Sequence, residues 1–396
     1  MERLLPLGRD TMKQFILFIV LISFIDMFSQ LPIMSPFAKS LGAAPALIGI
    51  AVGMYSFSNM FGNILAGYWI DRHGAKKVLI SGFFLTGLIL ILYVFVTTPW
   101  QLIAVRFIHG LFSGFLVPAA FTVIANSRKD GKQGKSMAVS GVAVGISAII
   151  GPAFGGIVAS KFGVNWVFII IAAIMLLIVV ISYFIIPNKP VPITRKIEPP
   201  VTTLFSLVKA PMLAVSFIGA FSLMFAQGVL AYMLPLQVES LQLETQYSGI
   251  LMSTFGITAI LIFALPTNRL FDHYQYQNTM MIGMSIIGIA LILLSLSSTL
   301  FLLFICMIIY GMGFALLFPS ISAMLVKNTD EETRGKAFGL FYAFFSLGVV
   351  VGSSLTGVLS VSFAAGYIIA ACILFVSTIS LLLYFRRKAS VSESLQ

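Results

Sequence analysis

Charge is what this 396-residue chain has least of: 9% of it is Asp, Glu, Lys or Arg, against about 25% in an average soluble domain. A shortage of that size excludes a water-solvated surface. Cysteine is nearly absent too. Cys306 and Cys372 fall inside apolar runs with no CxxC or metal-ligand spacing, so neither a disulfide framework nor a metal site is indicated. No P-loop, nucleophile triad or paired-carboxylate site is present, which argues against an enzyme and gives no reason to expect a cofactor. The 13 acidic residues lie in tails, loops and helix ends, with Asp26 as the exception.

What is there instead is apolar: 59% of the residues, with a mean hydropathy of +1.05. Runs long enough to cross a bilayer, about 20 residues at about 1.5 Å each, are read near 14–36, 46–69, 78–97, 101–125, 136–159 and 165–186. Six more lie near 212–235, 247–270, 280–298, 300–326, 337–360 and 365–385. The expected fold class is therefore an all-α integral membrane protein of twelve transmembrane helices. Basic residues are segregated: 21 sit in the N-terminal segment, alternate loops and the tail, and only Lys39 and Lys161 in the opposite loops. Cytoplasmic loops retain positive charge, so both termini are expected in the cytoplasm, in a multi-pass cell-membrane protein. This segregation accounts for the net charge of +11 as topology and lipid contact rather than nucleic-acid binding. The basic start at Arg3, Arg9 and Lys13 reads as an uncleaved first helix, because its run contains Asp26 and eleven more spans follow.

Displaced by 201 residues, the chain falls into register with itself. His109-Gly110 meets Tyr310-Gly311, Pro118 meets Pro319, Gly134-Lys135 meets Gly335-Lys336, and Gly151 and Gly156 meet Gly352 and Gly357. Two six-helix halves follow, 1–186 and 211–386, joined by a proline-rich cytoplasmic linker at 187–210 and closed by a tail at 387–396. The offset also sets Arg106 against Met307, Pro152 against Ser353 and Asp26 against Gln227 or Val229, so positions held in common report the fold and the others the work.

After the second span the chain reads GYWIDRHGAKK, from Gly67 to Lys77, which resembles the helix 2 to 3 loop signature of the major facilitator superfamily. LIAVRFIHGLFSG, from Leu102 to Gly114, is similar to that family's fourth-helix motif, and GVAVGISAIIGPAFGG, from Gly141 to Gly156, to its fifth-helix antiporter motif. The family's drug:proton antiporters carry an acid in helix 1 ahead of prolines; here Asp26 precedes Pro32 and Pro36. The resemblance covers nearly the whole chain and implies substrate binding between pseudo-symmetric halves. In the second half NRLFDHYQYQ keeps Asp272 but replaces Gly74 by Gln275, so that copy of the loop is expected to latch less firmly.

Asp26 lies about 18 Å into a hydrocarbon core of about 30 Å, where a carboxylate costs about 2.5–3.5 kcal/mol even on lenient insertion scales. Ser23, Ser29 and Gln30 share its face and suggest a watered cavity. Burial favours the neutral acid and a nearby cation the carboxylate, so a carboxyl there can load and release a proton as its surroundings alternate. The alternative is a structural hydrogen-bonding acid. Arg106, the one basic residue inside a span, carries His109, Gly110 and Ser113 on its face and lies at a depth from which it can approach Asp26 directly or through water. Otherwise it bonds backbone carbonyls or snorkels. His109 suits a proton relay, against the more ordinary reading of a satisfied polar residue. Gly145, Gly151, Gly155 and Gly156 allow close helix approach while Pro152 kinks the helix, which the resemblance associates with export. Gly67, Asp71, Arg72, Gly74, Lys76 and Lys77 are expected to form a conformational latch, Asp71 meeting the start of helix 11 near Gly335 and Asp272 making a weaker mirror contact. Ser23, Gln30, Ser113, Gln227 and Tyr310 are candidates for lining a cavity.

The reading is a proton-coupled antiporter exporting small hydrophobic or amphipathic compounds, driven by the proton gradient alone and functional as a monomer, with protons, substrate and lipid as partners. A nutrient symporter or facilitator, a lipid flippase and a membrane sensor are the alternatives, since fold does not fix function.

Overall fold

The structure is a computed structural model that describes residues 9–126, 133–186, 206–264 and 275–394; its regular structure there is helical, without a strand. Up to Ile185 the helices are α1 (Arg9–Ser29), α2 (Met34–Ser40), α3 (Pro45–His73), α4 (Ala75–Leu92), α5 (Pro99–Ser113), α6 (Leu116–Asn126), α7 (Gln133–Phe162) and α8 (Val164–Ile185). The second set is α9 (Pro211–Ser240), α10 (Thr245–Ala264), α11 (Tyr276–Leu296), α12 (Leu300–Lys327), α13 (Glu331–Val358) and α14 (Phe363–Ser394). Among the described residues 11 helical segments are long and apolar enough to cross a membrane, α5 and α6 counting as one, and α1 with α2 makes a twelfth bent by 46°. The protein is a multi-pass membrane protein of the twelve-helix kind.

Prolines and glycines punctuate these spans where the chemistry requires it. Pro32 has no N–H to continue the α1 ladder and disfavours helix at Leu31, so the chain turns through 30–33 before α2 begins. Gly114 and Phe115 divide α5 from α6, and Pro118 sits in the first turn of α6, where a missing donor costs nothing. Gly74 closes α3 at φ +88°, a left-handed value that a side chain resists, whereas Gln275 enters α11 at φ −62°. The two loops thus differ in backbone and not only in charge. Thr98 accepts from Gln101 N at 3.3 Å in a capping box, and its repeat counterpart Thr299 accepts from Leu302 N at 3.4 Å.

The chain divides into two compact units, Met1–Lys196 with Val238–Ser253 and Ile197–Gln237 with Thr254–Gln396. In unit 1, α1 packs on α7, α3 on α5 and α4 on α8; in unit 2, α11 packs on α12 and α14. Shared glycines are points of backbone approach: a Cβ at Gly110 would meet the Tyr55 carbonyl, and one at Gly311 the Phe255 carbonyl at 2.6 Å. Within unit 1, Lys39 and Glu239 pair at 2.8 Å although they stand 200 residues apart, close to the repeat offset. Both are about half exposed, so the pair is worth only about 0.2–1 kcal/mol. Asp272 and most of the 187–210 segment lie outside the described residues.

Candidate functional site

A buried polar network joins α1 to α5 in unit 1. Asp26 has no exposed surface, and neither has His109; their Oδ2 and Nε2 atoms are 3.1 Å apart. Gln30, one turn beyond Asp26, donates from Nε2 to Asp26 Oδ1 at 2.9 Å and to the Asp26 carbonyl at 3.0 Å. The oxygen of the same amide accepts from Arg106 at 2.8 Å. Arg106 also donates to the Val52 carbonyl at 3.1 Å and lies over the Tyr55 ring, 5.4 Å from its centre, while its Nε is buried without a partner. Tyr93 Oη stands 3.0 Å from His109 Nδ1, and Tyr55 shares a 2.7 Å bond with Ser113.

Depth along the helices brings Asp26 and Arg106 to similar heights, yet Gln30 is interposed and His109 takes the direct contact. The arginine's charge reaches the carboxyl through an amide. Nor is Asp26 on an open cavity: Ser23 donates to the Ile19 carbonyl and Ser29 to the Asp26 carbonyl, both on their own helix, and the acid is enclosed by protein. Its desolvation is compensated by hydrogen bonds rather than by a wet face. Two bonds to a charged group, at about 1.5–3 kcal/mol each, match the insertion cost of the carboxylate. With Asp26 ionised and His109 neutral, Nε2–H donates to the carboxylate and Tyr93 donates to Nδ1. Tyr55 and Tyr93 were not among the sequence candidates, although Tyr93 carries the sole side-chain hydroxyl in the apolar run LILILYVFV. Gln30→Leu removes both bridging bonds and leaves a buried guanidinium short of an acceptor. It is expected to destabilise the protein by about 2–4 kcal/mol; an unchanged thermal unfolding midpoint would contradict the bridge.

The family model for the Major Facilitator Superfamily matches residues 16–239 and again 216–395, nearly the whole chain. The chain belongs to the major facilitator superfamily. It is 28% identical over 338 residues to the uncharacterized MFS-type transporter MJ1560 of Methanocaldococcus jannaschii, covering 83% of this chain and 86% of that protein. It is 26% identical over 373 residues to the multi-drug resistance efflux pump PmrA of Streptococcus pneumoniae, covering 91% and 93%. Multidrug resistance protein MdtG of Escherichia coli is 26% identical over 318 residues, with 78% of each covered. In fold it is similar to the nucleoside transporter NupG, with a TM-score of 0.81 at 20% identity over 94% of this chain and 100% of that one. A peptide transporter POT gives 0.80 at 13% identity over 95% and 94%. These likenesses establish a transporter fold.

The other facilitator motifs fall into two groups. In the fifth-helix motif the glycines seat α7 against α1: a Cβ at Gly151 would come within 2.7 Å of Phe28 Cβ, and one at Gly155 would fall on the Ser29 carbonyl. Ser147 ties the same helices by donating to the Leu21 carbonyl at 2.9 Å. Gly156 lies against Gly249, a Cβ on Gly249 would meet the Pro152 carbonyl, and Ser253 donates to the Ile149 carbonyl at 2.6 Å, one turn before Pro152. Gly145 lies in the same helix, α7. The loop motif is looser. Asp71, Arg72 and Lys77 are exposed and make no ion pair or hydrogen bond among the described residues, and a Cβ at Gly67 would meet open space. Lys76 turns away from Asp71 and donates to the Tyr183 carbonyl at 2.9 Å, with its ammonium over the Tyr183 ring. In unit 2, Tyr310 donates to Gln227 Oε1 at 3.1 Å.

Proposed function

We propose that this facilitator is a proton-coupled antiporter that exports small hydrophobic or amphipathic compounds by alternating access, a membrane transporter rather than an enzyme. The observation that carries this reading is the fully buried Asp26–His109 pair, backed by Gln30 and Arg106. An ionisable group held at that depth is costly, and in membrane proteins such groups mark ion and proton pathways. Asp26 takes up a proton, His109 shares it, and Arg106 acting through Gln30 favours its release. Gly151 and Gly155 hold α7 on α1, while Pro152 and Gly156 lie against Gly249 of α10, so a change in the protonation of Asp26 is felt directly in the helix that bears the antiporter motif. Asp71, with Arg72 and Lys77, is left to the conformational latch. The efflux relatives, PmrA and MdtG, support drug-type substrates. The location is the cell membrane with both termini cytoplasmic, as the distribution of basic residues indicates.

One proton per cycle has an electrical consequence. Exchange for a monovalent cation is electroneutral, whereas exchange for a neutral compound moves one charge and draws about 2.3 kcal/mol per 100 mV. The test is flux in proteoliposomes of the purified protein, with the pH gradient and the potential collapsed separately. Export of a neutral compound is expected to slow when either is collapsed, and export of a monovalent cation only when the pH gradient is. Flux that ignores both gradients, or that runs inward with the proton, would replace this reading by a facilitator or a nutrient symporter.

A further inference from the structure

Unit 2 holds a second copy of the α1–α5 pair with its charge removed. Gln227 stands at the repeat position of Asp26 and Tyr310 at that of His109, and the two are hydrogen-bonded at 3.1 Å as the originals are at 3.1 Å. The surroundings are copied as well. Phe255 meets Tyr310 edge-on with ring centres 5.8 Å apart, as Tyr55 meets His109 at 5.1 Å. The Tyr55–Ser113 hydrogen bond becomes a ring contact between Phe255 and Phe314 at 5.6 Å, and Phe318 stacks on Phe314 at 5.7 Å. Carboxyl, imidazole and paired hydroxyls in one unit have become amide, phenol and stacked rings in the other.

No group in this copy exchanges a proton near neutral pH, and packing alone does not call for a buried amide. Tyr310 satisfies the amide oxygen of Gln227. The amide nitrogen, which carries two donors, has no partner among the described residues. It is not sealed in like the unpartnered hydroxyl of Ser216 on the same helix, and Gln227 keeps 9% of its surface exposed. Tyr310 therefore fixes an amide whose donor end is left accessible, and Tyr310 itself meets the run of rings Phe255, Phe314 and Phe318 through Phe255. Among the described residues of unit 2 no carboxylate lies in the interior of a span, so nothing there selects a cation by charge.

We propose that Gln227 is the hydrogen-bond donor of a substrate subsite walled by Phe255, Phe314 and Phe318, which takes flat aromatic molecules bearing an uncharged acceptor such as a carbonyl. This rests on the reading of the chain as a carrier of small hydrophobic compounds and names the class it takes. The test compares 9-fluorenone with fluorene, matched three-ring molecules of which only the first has a carbonyl, by equilibrium dialysis against the full chain in lipid nanodiscs with empty discs subtracted. The protein is expected to bind fluorenone about fivefold more tightly, the effect of one neutral hydrogen bond. Gln227→Leu should bring fluorenone to within twofold of fluorene while leaving fluorene unchanged within twofold, and fluorene binding then certifies the fold. Equal binding of the two probes by the unaltered protein, or a preference that survives Gln227→Leu, overturns the proposal. If Gln227→Leu binds neither probe, Tyr310→Phe decides: loss of the fluorenone preference supports the subsite and its full retention overturns it. Asp26→Asn should leave the preference within twofold, so failure of proton coupling and failure of this subsite are separate outcomes.

Discussion

Replacing Asp26 by Asn is expected to abolish uphill export while leaving the protein folded and abundant in the membrane. Asn has nearly the same shape: its side-chain oxygen can still accept from Gln30 Nε2 at the Oδ1 position, and its NH2 at the Oδ2 position can donate to His109 Nε2 once the imidazole takes the other tautomer, with Nδ1–H donating to Tyr93. The amide cannot take up the proton. A pH difference of two units supplies about 2.7 kcal/mol to a carrier that moves one proton, enough for a gradient of substrate of about 100-fold. In the Asn variant that ratio should collapse to about one, with downhill exchange retained. The comparison is the steady-state substrate ratio across energised vesicles at matched expression. Wild-type accumulation in the variant would remove Asp26 from the coupling mechanism and leave it as a structural acid.

A change of a single methyl group at Gly155 should have the second-largest effect. A Cβ there would fall on the carbonyl of Ser29, the last residue of α1 and three residues beyond Asp26. Neither partner has a flexible side chain to move aside; the overlap is of backbone with backbone. In an exposed helix Gly→Ala stabilises by about 0.5–1 kcal/mol, but overpacking costs about 1–3 kcal/mol and sometimes more, so Gly155→Ala should be destabilising on balance and should impair export through the displaced turn. Gly67→Ala is the internal control. It belongs to a family motif as Gly155 does, yet it is exposed within α3 and its Cβ would enter open space, so Gly67→Ala should stabilise by about 0.5–1 kcal/mol, opposite in sign to Gly155→Ala. Equal shifts in unfolding midpoint for the two would mean that the α1–α7 contact is looser than it stands here.

The spans were legible because hydropathy over about 20 residues reports only the choice between lipid and water, and that choice is nearly independent of neighbours. The duplication was legible because both copies must solve the same packing problem at Gly110 and Gly311, or at Thr98 and Thr299. The wiring of the polar network was not. Counting residues from a helix end gives height along the axis, which placed Asp26 and Arg106 within reach of each other. It gives no azimuth between helices, and azimuth decides that His109, three residues after Arg106, faces the acid while the guanidinium reaches Gln30. Tyr93 was missed for a related reason: a hydroxyl at the end of an apolar run looks like an interface residue until α4 is seen beside α5. The loop motif groups Lys76 with Asp71 as a resemblance of sequence, which carries no information on partners, and the partner Lys76 takes is the Tyr183 carbonyl.

The bond between Lys39 and Glu239 carries information of another kind. These residues occupy nearly the same place in the two copies, and they touch each other. In an ancestor built from two identical pieces, a residue meeting its own counterpart meets a copy of itself, as across the isologous contact of a symmetric dimer. Two lysines or two glutamates at 2.8 Å would repel, so opposite signs at this point must postdate the divergence of the copies. The ion pair is thus a contact that only a chain with unequal halves can make.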